Sequence, residues 1–304
     1  MPRSVLRVGT RGSALALAQA ETIRQGIEGI ITHRNFELVP ITTEGDRHLG
    51  ELPPESKGLF VHEIQEALAL GKIDLAVHSA KDLPATSHEG VALAAIPERE
   101  DPRDALVTRS GMGFAALQAG TTIGTSSLRR TAQLLALQRG LVPAPIRGNV
   151  DTRLRKMSDG AVQALVLALA GLKRLRREDR VAELLPINIM LPAPGQGALA
   201  VECRANDKMM RPALEQMDDP VLRAAFEAER SFMLALGGDC RLPLAALAEA
   251  SGERIRLRGL VATVDGSRVL QEQIEGDDPE KTGIALAERL RDQGADEIIA
   301  AARG

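Results

Sequence analysis

Short apolar runs alternating with longer, helix-patterned segments constrain this chain more than any other feature. LRV at Leu6, IDLAVHS at Ile73, ALVLA at Ala164 and ALAVE at Ala198 have the length and content of buried strands. Between them lie segments such as TAQLLALQRG from Thr131, with helical spacing. A strand covered on both faces reads as a continuous apolar run, and strand–helix alternation is the pattern of α/β domains with mixed, largely parallel sheets. The last third reads differently. RIRLRGLVATVDGSRVLQEQIE alternates around Asp265-Gly266, a hairpin signal, and a helix is predicted from about Pro279 to Gln293. The expected division is a first lobe at 1–97 plus 197–217, a second lobe at 103–191, and a small α+β domain at 219–304.

At 304 residues and 44% hydrophobic content, the chain is large enough for two or three cores. With 38 basic and 41 acidic residues the net charge is -3, which argues against a dedicated nucleic-acid binder, and 2% aromatic content offers no base-stacking platform. Any basic site must be local. The two cysteines, Cys203 and Cys240, form no CxxC pair and no disulfide framework, so a reducing compartment is expected. The start, MPRSVLRVGT, lacks the pattern of a secretory signal. The longest apolar run, AVQALVLALAGL from Ala161, falls short of the roughly 20 residues that span a bilayer. A soluble cytoplasmic protein is the expectation.

LRVGTRGSALALAQA from Leu6 and TTIGTSSLRRTAQLLAL from Thr121 echo each other: strand, Gly-Thr, polar residues, serine, helix. Ser13 in one copy, and Ser126 or Ser127 in the other, stand where a side chain caps a helix. Each helix start then offers N–H groups to an anion, with Arg11 near one and Arg129 and Arg130 near the other. Two matching turns suggest a two-lobed ligand cleft. PEREDPRD (97–104) and LPAPGQGALAVE from Leu191 are candidate crossings between lobes, the second able to return a strand to the first lobe. TTEGDRHLGELPPESKGLF from Thr42 reads as a long surface loop or lid.

In IDLAVHSAKDLP, Lys81 and Asp82 follow a buried strand, and Pro84 stops its continuation. Ligands of open α/β sheets bind outside the carboxyl ends of strands, so Asp82 is either a reactive carboxylate or half of a surface ion pair. Basic residues gather in SSLRR, IRGNVDTRLRK and GLKRLRRED. The planar forks of Arg129, Arg130, Arg147, Arg153 and Arg174 suit a ligand with several negative charges, and Gly148 lets backbone approach it. Lys173, Arg176 and Arg177 read as a solvated helix face beside Glu178 and Asp179. There is no GxxxxGK[ST] nucleotide loop. The five histidines show no metal spacing, so no metal is expected, and His78 is read as facing a sheet edge. Cys203, in an apolar run, reads as a core thiol. From these residues alone an enzyme, a solute-binding protein and a polyanion-binding regulator all remain open.

VGTRGSALAL, KGLF, DLAVHSAKDLP, EREDPRDA, IGTSSLRR, RGNVDTRL, LALAGLKRL, LPAPGQGALAVECR and GGDCRLP, in that order, resemble the porphobilinogen deaminase (hydroxymethylbilane synthase) family. The resemblance implies two periplasmic-binding-protein-like lobes and a smaller third domain. It implies a dipyrromethane cofactor joined by a thioether to Cys240, and head-to-tail condensation of four porphobilinogen molecules, each releasing ammonia, before water frees hydroxymethylbilane. Asp82 matches the catalytic aspartate. Arg11, Ser13, Lys81, Thr125, Ser126, Ser127, Arg129, Arg130, Arg147, Gly148, Arg153 and Arg174 fall on positions that bind cofactor or substrate. Phe60 matches an aromatic over the rings, Lys57 belongs to the loop before it, and Gln196 lines the hinge side. A monomer passing its product to uroporphyrinogen-III synthase is implied, with no nucleic acid or membrane partner. Asp239 and Leu242 depart from the family pattern around Cys240, and a carboxylate beside a thiol disfavours the thiolate, so slower cofactor attachment is expected unless Arg241 or the orientation of Asp239 offsets it.

Overall fold

The apolar runs become strands and the segments between them become helices. The computed structural model describes residues 5–42, 61–84, 88–237, 242–252 and 254–303. The elements are β1 (Val5–Arg11), α1 (Ala14–Glu28), β2 (Asn35–Ile41), α2 (His62–Ala69), β3 (Leu75–Ser79), β4 (Val91–Ala95), β5 (Asp104–Thr108) and β6 (Thr122–Gly124). They continue with α3 (Leu128–Ala136), β7 (Val142–Ala144), α4 (Val150–Ser158), β8 (Ala164–Ala168), α5 (Leu169–Arg174), β9 (Glu183–Leu184) and β10 (Leu199–Arg204). Last come α6 (Met210–Glu215), α7 (Pro220–Ala235), β11 (Leu244–Ser251), β12 (Arg254–Ala262), β13 (Val269–Gly276), α8 (Pro279–Asp292) and α9 (Ala295–Arg303). Two compact units result, Met1–Arg99 with Ala198–Arg223 and Glu100–Gly197 with Ala224–Gly304.

In the first unit the strand order is β2-β1-β3-β10-β4. β1 runs parallel to β2 and β3, while β10 is antiparallel to β3 and β4. Leu6, Val8, Leu75, Val77, Leu199, Val201 and Cys203 bury one cluster with Ile23 and Ile27 of α1. Ile64 and Leu68 of α2 cover a second with Ile73 and Ala76. Because the sheet is covered by helices, its strands need the near-continuous apolar runs seen in the sequence. Asp74, at the foot of β3, anchors Arg7, accepting from its backbone N–H at 2.9 Å and its Nε at 3.2 Å.

The second unit repeats this plan. Its sheet has the order β7-β6-β8-β5-β9, with β6 parallel to β7 and β8, and β5 antiparallel to β8 and β9. β6 thus takes the place of β1, and β5 that of β10. Each sheet has two parallel and two antiparallel pairings, because four of its five strands run the same way and only β10 in the first and β5 in the second are reversed, so the mixed, largely parallel character expected of these sheets holds. The reason is connectivity: the fourth strand of each sheet arrives along a crossing segment and enters against the direction of its neighbour. ALAVE forms β10, the strand expected to return to the first sheet.

The same unit contains the antiparallel sheet β11-β12-β13. The Asp265-Gly266 signal is the turn between β12 and β13, where Gly266 has φ 68° and Asp265 Oδ1 accepts from the Ser267 N–H at 3.1 Å. Phe232 of α7 is fully buried with Leu257, Leu286 and Leu290, and Leu242 joins the same core. Glu229, also buried, accepts from the Gly195 and Ala248 N–H groups at 2.6 and 2.7 Å, tying the PGQG segment to α7 and β11. Gly197 cannot carry a side chain: its φ is 90°, and a Cβ would lie 2.2 Å from the Glu100 carbonyl oxygen.

Candidate active site

In the first unit, the candidate residues sit at the carboxyl ends of two adjacent parallel strands, β1 and β3. Arg11 ends β1 and is half-buried; Ser13 caps α1, its hydroxyl accepting from the Ala16 N–H at 3.2 Å. The buried Thr10 hydroxyl reaches the Ala16 carbonyl at 3.2 Å and that of Val77 at 3.4 Å, fastening this turn to β3. After β3, Ala80–Asp82 form one turn of 3-10 helix, fixed by the Ala80 N–H on the Ala198 carbonyl at 3.0 Å. Lys81 is half-buried and Asp82 is exposed.

The base of that turn is braced by groups the sequence reading left unassigned. Gln19 of α1 donates to the Ser79 hydroxyl at 2.9 Å. His78 does not face a sheet edge. β3 lies between β1 and β10, and His78 Nε2 is buried 2.9 Å from Glu202 Oε2. Gln65 of α2 donates to both Glu202 oxygens, at 2.9 and 3.1 Å. Glu202 in ALAVEC gave a signal in the sequence, a charge inside an apolar run, but nothing there named partners 124 and 137 residues away.

In the second unit, Thr125 is buried at the end of β6 and accepts from the Ser127 N–H at 3.1 Å. Ser126 donates to the Ile146 carbonyl at 2.9 Å and accepts from its N–H at 3.1 Å, lacing the Thr125–Ser127 turn to the one after β7. That second turn carries Arg147, which is exposed, and Gly148, with φ 118°; Arg153 of α4 donates to the Gly148 carbonyl at 2.7 Å. Six of the predicted site residues therefore meet beyond the carboxyl ends of the parallel strands β6 and β7.

Arg129 and Arg130 turn inward. Both are buried against Asp104, the fully buried first residue of β5. Arg129 donates to Asp104 Oδ2 at 2.8 Å and to the Leu191 carbonyl at 2.6 Å; Arg130 donates to Asp104 Oδ1 from NH2 at 2.7 Å and from Nε at 3.2 Å. Gln196 joins the cluster through Asp104 Oδ1 at 3.0 Å and the Pro102 carbonyl at 2.7 Å. Burial pushes the Asp104 carboxyl up, but the charges and hydrogen bonds of the two guanidiniums outweigh it and hold the group below the ordinary carboxylate range. Burial lowers the Arg129 pKa and Asp104 opposes that. Arg174 of α5 donates to the Gly197 carbonyl at 2.8 Å, while its neighbour Lys173 pairs with Glu100 at 2.7 Å. Arg176 and Arg177 are exposed, as a solvated face requires.

Cys203 is buried in β10, and burial pushes its thiol up to about 11. Lys57, Phe60, Asp239, Cys240, Arg241 and most of the predicted lid lie outside the described residues. No helix among the described residues is long and apolar enough to cross a membrane.

Two like-built mixed sheets, each gathering hydroxyls and arginines at strand carboxyl ends, and a small antiparallel sheet define the class: a multi-sheet α/β protein. Its sequence is similar to two family models, porphobilinogen deaminase, dipyromethane cofactor binding domain, over residues 6–212, and porphobilinogen deaminase, C-terminal domain, over 224–292. The chain belongs to the porphobilinogen deaminase family, transferases of tetrapyrrole biosynthesis that use a dipyrromethane cofactor. It is 48% identical to the porphobilinogen deaminase of Syntrophotalea carbinolica, covering 99% of this chain and 97% of that one. It is 46% identical to the porphobilinogen deaminase of Roseiflexus castenholzii, covering 98% and 99%. Solved structures similar to it include a periplasmic binding protein with high arginine specificity from Salmonella typhimurium, at 14% identity, TM-score 0.43, and coverage of 73% of this chain and 94% of that one.

Proposed function

We propose that this chain condenses four porphobilinogen molecules head to tail and then hydrolyses the product to hydroxymethylbilane. The observation that carries this reading is Asp82, an exposed carboxylate on a rigid turn beside Lys81 and the Arg11–Ser13 turn, in a chain of this family. In each condensation the substrate's aminomethyl C–N bond breaks with loss of ammonia, a C–C bond forms, and a pyrrole ring proton departs. Positive charge builds on the pyrrole first when ammonia leaves and again after ring attack. Asp82 stabilises both cations through the pyrrole N–H groups and moves the proton that is lost.

A dipyrromethane fits the donor set of the second unit. Each of its pyrroles carries an acetate and a propionate. Arg129 Nε is buried with no acceptor among the described residues, and two guanidiniums share one carboxylate, leaving a donor and a positive charge in excess. Arg11, Ser13, Lys81, Thr125, Ser127, Arg129, Arg130, Arg147, Arg153 and Arg174 hold cofactor and substrate carboxylates; Ser126 and Gly148 shape the two laced turns, and Gln196 keeps the crossing in place. When bound, the cofactor supplies the pyrrole carbon to which the first substrate unit is joined. Its tether is Cys240, because Cys203, the other cysteine, is buried with a thiol that resists ionisation. Phe60 is assigned to the cofactor and substrate rings, and Lys57, in the loop before it, to cofactor or substrate binding. The enzyme acts as a cytoplasmic monomer and passes its product to a uroporphyrinogen-III synthase.

The test is an intact mass of the denatured protein from cells that make porphobilinogen, together with a hydroxymethylbilane assay. An added mass of two linked pyrroles, absent in Cys240→Ser, is expected. Asp82→Asn should keep the fold and lose at least about 100-fold in kcat, in line with removal of an acid–base group. The unmodified sequence mass in active wild-type protein, or normal turnover by Asp82→Asn, would sink the reading.

A further inference from the structure

Three of the residues assigned above to ligand and crossing share one anchor. Asp104 spends Oδ2 on Arg129, and Oδ1 on Arg130 and Gln196, and all four side chains are buried. Arg129 is held at a second point by the Leu191 carbonyl. Gln133, one helical turn on in α3, clamps Leu191 from both sides, accepting from its N–H at 2.7 Å and donating to its carbonyl at 3.0 Å. Each guanidinium plane is therefore fixed before any ligand arrives.

Such an arrangement is a poor way to gain stability. Replacing buried ion pairs by apolar groups of similar volume is often neutral or favourable, because desolvation consumes the Coulombic gain. Two arginines on one aspartate also leave one positive charge uncompensated within the cluster, and the buried Arg129 Nε has no acceptor among the described residues. What the cluster does supply is orientation. A preset guanidinium fork meets a carboxylate without first losing side-chain freedom.

We propose that Asp104 is a positioning residue for the condensation: it touches no substrate, and it presets Arg129 and Arg130 to receive a ligand carboxylate while tethering Gln196 of the crossing segment. This rests on the function proposed above. Loss of the Asp104 charge frees both arginines to reorient, so ligand binding weakens more than the chemical step.

The experiment compares wild type, Asp104→Asn and Asp104→Glu, each purified from porphobilinogen-producing cells, by circular dichroism, intact mass, and kcat and KM for porphobilinogen. Folded Asp104→Asn is expected to show a KM raised at least tenfold, a smaller fall in kcat, and a reduced cofactor-bearing fraction. Asp104→Glu keeps the charge and should recover part of both losses. Wild-type KM and cofactor content in the folded Asn variant overturn the proposal. If the Asn variant does not fold, the Glu variant decides: wild-type values in it, or failure of both variants to fold, assign Asp104 to structure alone and overturn the proposal. A wild-type protein that forms no hydroxymethylbilane instead defeats the functional reading, whatever the variants do.

Discussion

After β1 the chain turns through Thr10–Ser13 into α1; after β6 it turns through Thr125–Ser127 into α3. Both turns follow a central strand flanked by parallel neighbours, and both bury the threonine. They then spend their side chains differently. In the first, Ser13 is committed to the helix cap and Arg11 stays half-buried. In the second, Ser127 makes no side-chain cap bond, Ser126 bonds the neighbouring turn, and the arginines are drawn into the protein by Asp104. The first turn thus keeps its cation near solvent, at the strand end it shares with Lys81 and Asp82, for which catalysis was proposed above. The second fixes its cations from behind, at the expense of burying charge.

The largest test of this contrast is an alanine at each arginine. Arg129→Ala leaves Asp104 buried with one partner fewer and should cost about 3–5 kcal/mol in urea unfolding, whereas Arg11→Ala should cost under about 1 kcal/mol. The sign with pH follows from Asp104, whose folded pKa is depressed. Its contribution is complete above the unfolded value near 4 and is lost as pH falls through the folded one, so the gap between wild type and Arg129→Ala should close in acid. A gap that stays constant below pH 4 would show that the ion pair is not its source.

A smaller effect compares the paired strand glycines. A Cβ on Gly124 meets Leu165, Ile146 and Val162 side chains at 2.6, 3.0 and 3.0 Å, while the three atoms nearest to one on Gly9 all belong to Ile73, its terminal methyl at 2.2 Å. Because one side-chain tip yields more easily than three packed neighbours, Gly124→Ala should cost about 2–3 kcal/mol and Gly9→Ala about 1 kcal/mol. The reverse order in thermal or urea unfolding would mean that the Ile73 pocket is the stiffer one. Smallest is the cap itself: Ser13→Ala should lose about 1 kcal/mol and Ser127→Ala only a few tenths, and equal losses would erase the distinction between the turns.

The strands and the Asp265-Gly266 hairpin were legible because their signals are local: apolar runs, alternation and a turn dipeptide. The echo between the turns after β1 and β6 was legible too, and it extends to the strand order of both sheets. Sheet direction was legible in outline, with four of five strands running one way, but which strand is reversed was not, since the reversal of β5 and β10 depends on where the crossing segments enter. The buried carboxylates were missed as a class. Asp104 was read only as the last residue of the PEREDPRD crossing, and Glu202 and Glu229 were given no role. Each is buried because its partners come from elsewhere in the chain: Arg129 is 25 residues from Asp104, Gly195 is 34 from Glu229, and Gln65 is 137 from Glu202. Arg129 and Arg130 show the same limit from the other side, since residue type named their chemistry without revealing that an internal acid already holds them.

The placement of β10 has a consequence for how this protein is made. β3 and β4 do not pair with each other; β10 lies between them. During synthesis both strands leave the ribosome long before residue 199, so the nascent first sheet carries an open slot with two unpaired edges while the next hundred or so residues are translated. Exposed edges of that kind invite pairing with other chains. Closing the slot is a long-range step that comes late. A chain truncated before β10 would keep the Lys81–Asp82 segment yet lack the strand that holds it, making the first sheet a client for chaperones until Leu199–Arg204 arrives.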